Sequence, residues 1–300
     1  MTQDKLNNLI TGTADKLCDY TDEENWLVYT CDADVPVPST EALAEVVKLC
    51  RTIFFPSLQG EAFTDKRMFE RTTTAAIHKL HSLLTEQIAA GLLTGKDYCK
   101  ACVLKDTRAL SEDLAAQVIA KLPEIRQDLI TDVEATYKGD PAATGYMEIV
   151  NCYPVIKAMV NYRVAHVIYE LNVPIIPRML TEMAHSETGI DIHPGAQIGT
   201  YFTIDHGTGV VIGATTIIGK NVKLYQGVTL GAKSFPVEPD GSLTKGIPRH
   251  PILEDDVIVY SNATILGRIT IGKGAVVGGN VWITEPVAAG SRITQYKKDS

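Results

Sequence analysis

The chain beyond residue 186 carries three histidines, His193, His206 and His250, and one of them stands where the chain breaks its own rhythm. Around the string TIDHGTGVVIG (residues 203–213) aliphatic residues recur at every sixth position: Ile192, Ile198 and Ile204 before it, Ile212, Ile218, Leu224 and Leu230 after it. Between Ile204 and Ile212 the step is eight, and Asp205 and His206 lie in that step among glycines. Imidazole titrates near neutrality, which suits it to general acid–base work. A base beside a carboxylate, with glycines at a break in register, makes His206 the candidate general base. Three imidazoles are also the number a catalytic zinc uses, so a zinc hydratase is one alternative. No H-x-x-x-x-H pair accompanies them.

The rhythm itself predicts the scaffold. It resumes at Leu253, Val259, Ile265, Ile271, Val277 and Ile283, with a small or aliphatic residue four positions after each. Glycine follows the aliphatic residue at 199, 213, 219, 231, 272 and 278. Hexads of this kind are the repeat of a parallel β-helix, in which each hexad is a short strand and a turn. Three hexads close one triangular coil, the aliphatic residue points inward, and the turn needs small residues. The hexads predict roughly four coils, about 20 Å tall at the usual strand spacing. A second departure separates Leu230 from Leu253 and reads as an extruded loop, 231–252, rich in Pro and Gly and ending with Arg249 and His250. Loops on a rigid scaffold are where binding residues gather. His193 lies beside an inward aliphatic residue and reads as structural, and Lys233 and Lys245 as solvated loop lysines.

Upstream the period is helical. Met68–Leu93 reads as a helix, and so do Leu114, Val118, Leu122, Ile125, Leu129 and Val133 at three-to-four spacing. Pro123 falls inside that run and predicts two helices, the second starting near the proline. Gly139-Asp140-Pro141 ends it, and a further apolar run extends from Met147 to Leu171, closed by Asn172 and Pro174. His166 and His185 read as hydrogen-bonding residues of this half, and the first 60 residues as short helices with loops. The expected fold is therefore α+β: an all-helical domain over 1–186, a β-helix over 187–290, and a tail over 291–300.

Composition narrows the partners. The net charge of −8 and the lack of a basic block argue against nucleic acid. No run of about 18 apolar residues is present to span a membrane, and MTQDKLNNLI lacks the pattern of a signal peptide. A cytoplasmic location is expected. All six cysteines precede the hexads, and the lone C-x-x-C at Cys99 and Cys102 reads as reduced thiols.

The strings TGIDIHPGAQIG, IDHGTGVVIG, YQGVTLGA and RHP, with KGDPAA and NYRVAH upstream, closely resemble the serine O-acetyltransferases of the hexapeptide-repeat acyltransferase superfamily. The resemblance covers about residues 132–293, and the long N-terminus and S-F-P loop are similar to the family's longer subgroup. It implies a left-handed β-helix and acetyl transfer from acetyl-CoA to L-serine, giving O-acetyl-L-serine and CoA, the first step of cysteine biosynthesis. It also implies that Asp191 is the carboxylate partner of His206, and that Asp140, Asp205, Arg249 and His250 bind the amino acid. Gly231, Ala232, Ser261 and Gly279 are then expected along coenzyme A, with no metal.

The chemistry fits those roles. A carboxylate on the second ring nitrogen sets the tautomer. Carboxylates suit the substrate ammonium, and a guanidinium suits its carboxylate. With one base and no nucleophilic cysteine at the site, direct transfer in a ternary complex is expected. Backbone amides or His250 are candidates for binding the oxyanion. L-Cysteine, one atom different from serine, is expected to compete with it.

The sequence departs from the family pattern at several positions. Ala214 stands where glutamate is common, Tyr260-Ser261 where Gly-Ala is usual, and Gly279 where alanine is usual. The chain ends YKKDS, without the isoleucine that docks into the sulfhydrylase, so no complex with that enzyme through the tail is expected. The alternatives to serine are another hydroxyl acceptor, a sugar or homoserine, or a scaffold whose catalysis Ala214 has impaired. Flat-faced prisms of this class predict a homotrimer or a dimer of trimers, with sites between neighbours.

Overall fold

The computed structural model describes residues 1–19, 36–56, 65–94, 101–234 and 238–295, with backbone alone at 101–105. Cys99, the side chain of Cys102 and the last five residues therefore lie outside the described residues. Helix α1 (Gln3–Cys18) buries no residue. Helix α2 (Thr40–Phe54) starts at Ser39, whose hydroxyl accepts the Ala42 N–H at 3.2 Å. Helix α3 (Lys66–Leu93) starts at Asp65, which accepts the Met68 N–H at 2.8 Å. Both are ordinary N-caps that satisfy an orphan donor of the first turn.

Helix α4 (Ala101–Gly139) is one helix where Pro123 predicted two. A proline inside a helix forfeits a hydrogen bond and costs about 3 kcal/mol. The stripe Leu114, Val118, Leu122, Ile125, Leu129 and Val133 is buried on both sides of the proline, and its packing against α3 outweighs that loss. The run from Met147 to Leu171 is instead two helices, α5 (Tyr146–Cys152) and α6 (Pro154–Glu170). Pro154 at the first helical position pushes Tyr153 into an extended conformation. Helix α7 (Ile176–Thr188) ends at Gly189 in the left-handed region, φ +72°, which turns the chain into the first strand.

A three-faced parallel solenoid follows. The first face stacks β1 (Ile190–Ile192), β4 (Val210–Ile212), β7 (Thr229–Gly231), β10 (Thr264–Leu266) and β13 (Trp282–Ile283). The second stacks β2 (Gln197–Ile198), β5 (Ile217–Ile218), β8 (Ile252–Leu253) and β11 (Thr270–Ile271). The third stacks β3 (Thr203–Asp205), β6 (Lys223–Tyr225), β9 (Ile258–Val259), β12 (Val276–Val277) and β14 (Arg292–Ile293). This is nearly five coils rather than four. The hexad residues from Ile204 to Val277 line the axis at 2% exposure or less. Register shows both irregularities directly: Ile192 pairs with Ile212, two residues further than the Ile212–Leu230 pair, and Ile218 pairs with Leu253 across the extruded loop.

The helices are bolted to the first coil by buried polar contacts. Arg163 forks onto Asp132 at 2.7 and 3.0 Å and reaches the Gly199 carbonyl at 3.0 Å. Burial pushes the Asp132 carboxyl up to about 6, while Arg163 and the Phe202 N–H at 3.0 Å favour its charged form. Thr136 and Thr203 share a 2.8 Å hydrogen bond. These contacts bring the C-terminal end of α4, and with it Asp140, against β3.

Candidate active site

The two surplus residues form a bulge on the edge where the third face turns into the first. Asp205 ends β3, and His206 follows in the left-handed region at φ +58°. Asparagine, which tolerates that conformation, occupies comparable corners at 221, 262 and 280. A histidine there spends some backbone strain to present its ring outward, with the side chain 75% exposed. Gly207, at φ +96°, has no alternative, because a Cβ there would meet the Ile190 side chain at 2.5 Å. The turn closes through the Gly207 N–H to the Asp205 carbonyl at 2.8 Å and the Gly209 N–H to the Gly189 carbonyl at 2.8 Å. His206 Nε2 lies 3.8 Å from Asp205 Oδ1.

Asp140 reaches the same edge from the end of α4. Together with Thr136, Tyr153, Thr203, Asp205 and Lys223 it lines a small pocket. Tyr153 Oη donates to Asp140 Oδ2 at 2.6 Å and the Ala142 N–H to Oδ1 at 2.8 Å. These bonds, the tyrosine's first, hold the Asp140 carboxyl below the usual carboxylate range, and the same bond pushes the Tyr153 phenol up to about 12. Lys223 pairs with Asp205 Oδ2 at 3.1 Å and donates to the Gly139 carbonyl at 2.7 Å. Neither Tyr153 nor Lys223 was singled out by sequence reasoning. Each is an ordinary residue of its element, and its role exists only because α4, α6 and β6 converge here.

Arg249 and His250 stand on the opposite edge of the first face, where the long loop re-enters the prism. Thr215 organises them: its hydroxyl accepts the N–H groups of Arg249 at 2.9 Å and His250 at 3.2 Å. The Thr215 N–H donates to His250 Nδ1 at 3.1 Å, which leaves the ring proton on Nε2. Arg268 donates to the His250 carbonyl at 3.0 Å. Burial first, then Arg249, His193 and Arg268, lower the His250 pKa to about 4, so it is a neutral hydrogen-bond donor at neutral pH. The ring packs directly against Gly213, where an added Cβ would stand 2.0 Å from Cδ2. Ala214 sits half-buried between Gly213 and Thr215. Thr215 and Arg268 also escaped sequence reasoning, since nothing in a repeat says which turn will receive a loop.

Asp191 projects from β1 on the first face between these two edges. Its ion pair is with Arg178 at 3.5 Å, and it makes no hydrogen bond to His206 within the chain. Glu182, His185 and Asp191 bring ligand atoms within 4.8 Å of one another, but Arg178 pairs with both Glu182 and Asp191 and already supplies the positive charge. His193 accepts the Gly195 N–H at 2.9 Å through Nδ1, a turn-forming contact. Among the described residues the three imidazoles of the hexad region do not form a metal-binding cluster.

The residues expected along coenzyme A divide in the same way. Ser261 and Gly279 continue the His206 edge, joined by the Asn280 N–H to the Ser261 carbonyl at 2.9 Å. Tyr260, beside them, stacks on Tyr225 with ring centroids 4.9 Å apart. Gly231 and Ala232 lie on the His250 edge, where the long loop departs. Lys233, in that loop, pairs with Glu285 at 3.6 Å. Among the described residues no helix is long and apolar enough to cross a membrane.

No family model matches the chain. A relative named Serine acetyltransferase, plasmid, of Synechococcus elongatus is 46% identical over 269 residues, 88% of this chain and 83% of its own length. The crystal structure of serine acetyltransferase 1 of Entamoeba histolytica with L-cysteine matches at a TM-score of 0.72 and 34% identity, over 93% of each chain. Soybean serine acetyltransferase complexed with serine matches at a TM-score of 0.54 and 27% identity, over 85% of this chain and 96% of that one. With a bulged Asp-His corner on a hexapeptide prism and a relative of this identity along most of its length, the chain belongs to the serine acetyltransferase family.

Proposed function

We propose that the protein transfers the acetyl group of acetyl-CoA to the hydroxyl of L-serine, at sites completed between neighbouring chains of a homotrimer. The observation that carries the site assignment is the division of its residues. Asp140, Asp205 and His206 lie on one edge of the first face, Arg249 and His250 on the other, and Asp191 is turned to Arg178. A three-fold arrangement sets one edge against the other and completes the site. The exposed apolar residues Val211 and Trp282 on the face between, 37% and 70% exposed, support covering that face with a second copy.

In such a site Asp140 receives the serine ammonium, and Arg249 of the neighbouring chain its carboxylate. His206 takes the hydroxyl proton as the oxygen attacks the thioester carbonyl. Asp191 of the neighbouring chain steadies the other ring nitrogen. His250, neutral with its proton on Nε2, is suited to donate toward the developing oxyanion. The carbon–sulfur bond then breaks, and the departing thiolate takes the proton from the imidazolium. L-Cysteine fits the same acceptor position, in keeping with its presence in the Entamoeba relative.

Thiol release from acetyl-CoA tests the acceptor: serine should support it, and homoserine and simple sugars should not. His206→Ala should lower turnover about 100-fold or more without unfolding the chain. Coexpressed His206→Ala and Arg249→Ala chains should regain activity that neither has alone, because some interfaces then hold both native residues. Absence of that recovery rejects the shared site.

A further inference from the structure

Lys223 is a lysine in an unusual place. Lysine side chains stay in solvent unless they are paired, yet this one is 15% exposed and projects from β6 into the pocket beside the candidate base. Its Nζ is held from three directions: the Gly139 carbonyl at 2.7 Å, Asp205 Oδ2 at 3.1 Å, and the Tyr225 ring at 4.5 Å. Burial works against its charge, but the contacts with Tyr225 and Asp205 outweigh that and raise its pKa, so the ammonium is firmly charged. The other oxygen of the same carboxylate faces His206 Nε2 at 3.8 Å. Ammonium, carboxylate and imidazole thus form a chain, with lysine and histidine no more than about 9 Å apart through Asp205.

Within the chain, the charged and titratable groups gathered at this corner are Asp205 on β3, Asp140 after α4, Tyr153 at the start of α6, and Lys223 and Tyr225 on β6. Two of them are carboxylates. Left uncompensated, two negative charges beside an imidazole favour its protonated form, and imidazolium cannot accept a proton. Lys223 is the cation in that set. It also ties the turn bearing Asp140 to the end of β3, through the Gly139 carbonyl on one side and Asp205 on the other.

We propose that Lys223 is a positioning residue that keeps His206 available as an unprotonated base by compensating the charge of Asp205. The proposal rests on the reading of His206 given above. It predicts that the charge of residue 223 matters more than its shape. Removing the charge leaves Asp205 and Asp140 uncompensated beside the imidazole, and its titration must move to higher pH. Keeping the charge on a different stem must leave the titration nearly where it was.

The test follows the His206 ring by NMR in the full-length protein with carbon-13 at histidine Cε1, the signal being assigned by its loss in His206→Gln. Lys223→Met removes the charge and keeps the stem, and Lys223→Arg keeps the charge. Lys223→Gln, which retains a donor for the Gly139 carbonyl, replaces the methionine variant should that one not fold. The His206 titration midpoint should rise by about half a pH unit or more in the uncharged variant. It should return to near the wild-type position in Lys223→Arg, and the acid limb of kcat/KM for serine should follow it. An unmoved or lowered midpoint in the uncharged variant overturns the proposal, whatever the kinetics. A midpoint that rises while the acid limb stays still upholds the electrostatic role of Lys223, and rejects His206 as the base.

Discussion

Gly213→Ala is a one-carbon change whose consequence can be worked through. A Cβ at position 213 would stand 2.0 Å from Cδ2 and 2.2 Å from Nε2 of His250. Carbon atoms settle near about 3.5 Å or more, so the ring must retreat by about 1.5 Å. It is not free to do so, because Nδ1 is held by the Thr215 N–H at 3.1 Å and hydroxyl at 2.9 Å, and the His250 N–H by the same hydroxyl at 3.2 Å. Overpacking costs about 1–3 kcal/mol, and the broken hydrogen bond adds about 1 kcal/mol. Displacing a substrate-binding group by about 1 Å lowers kcat/KM by about 100-fold. The decisive comparison is a double-mutant cycle with His250→Ala, read by urea denaturation. With the ring gone, alanine at 213 should cost almost nothing, a coupling of about 2 kcal/mol or more. Equal costs in the two backgrounds would refute the clash as the cause.

Two further outcomes follow from the same geometry. Tyr153→Phe removes the 2.6 Å hydrogen bond to Asp140. It should raise the KM for serine by about five- to tenfold while changing kcat less; a kcat defect at constant KM would mean that the tyrosine does not act through the ammonium site. His250 keeps a pKa of about 4 in the folded chain against 6.5 when unfolded. The unfolded state therefore binds the extra proton first as the pH drops. Its contribution to stability is complete above pH 6.5 and is lost progressively toward pH 4. Between pH 7.5 and pH 5 the wild type should lose up to about 2 kcal/mol more than His250→Gln, as read by denaturant titration at each pH. Parallel losses in the two proteins would place the pH sensitivity elsewhere.

The scaffold was legible because a solenoid repeats itself. Every coil asks for the same thing at the same place, an inward aliphatic residue and a small turn, so a period of six is visible without knowing any partner. The two irregularities were legible for the same reason: against a fixed period, Asp205-His206 and the loop to Arg249-His250 stand out as residues the core does not need. Helices carry less information. The periodicity of α4 continues through Pro123, but only the burial of Leu122 and Ile125 says that the helix does too. The break at Tyr153 was marked by Pro154, whose place at a helix start lay hidden in an unbroken apolar run.

The sequence by itself determined the prism, the exposed corner that carries His206, the loop that returns His250, and the family to which these belong. Tertiary structure alone decided which side chains share a pocket. Tyr153 and Lys223 meet Asp140 and Asp205 because the Asp132–Arg163 fork docks α4 and α6 on the first coil. Thr215 receives the loop, and Asp191 pairs with Arg178 within the chain. The physical reason is range. Hexad packing is local and periodic and is therefore written in spacing, whereas a hydrogen bond between residues 67 or 84 positions apart exists only after the chain has folded.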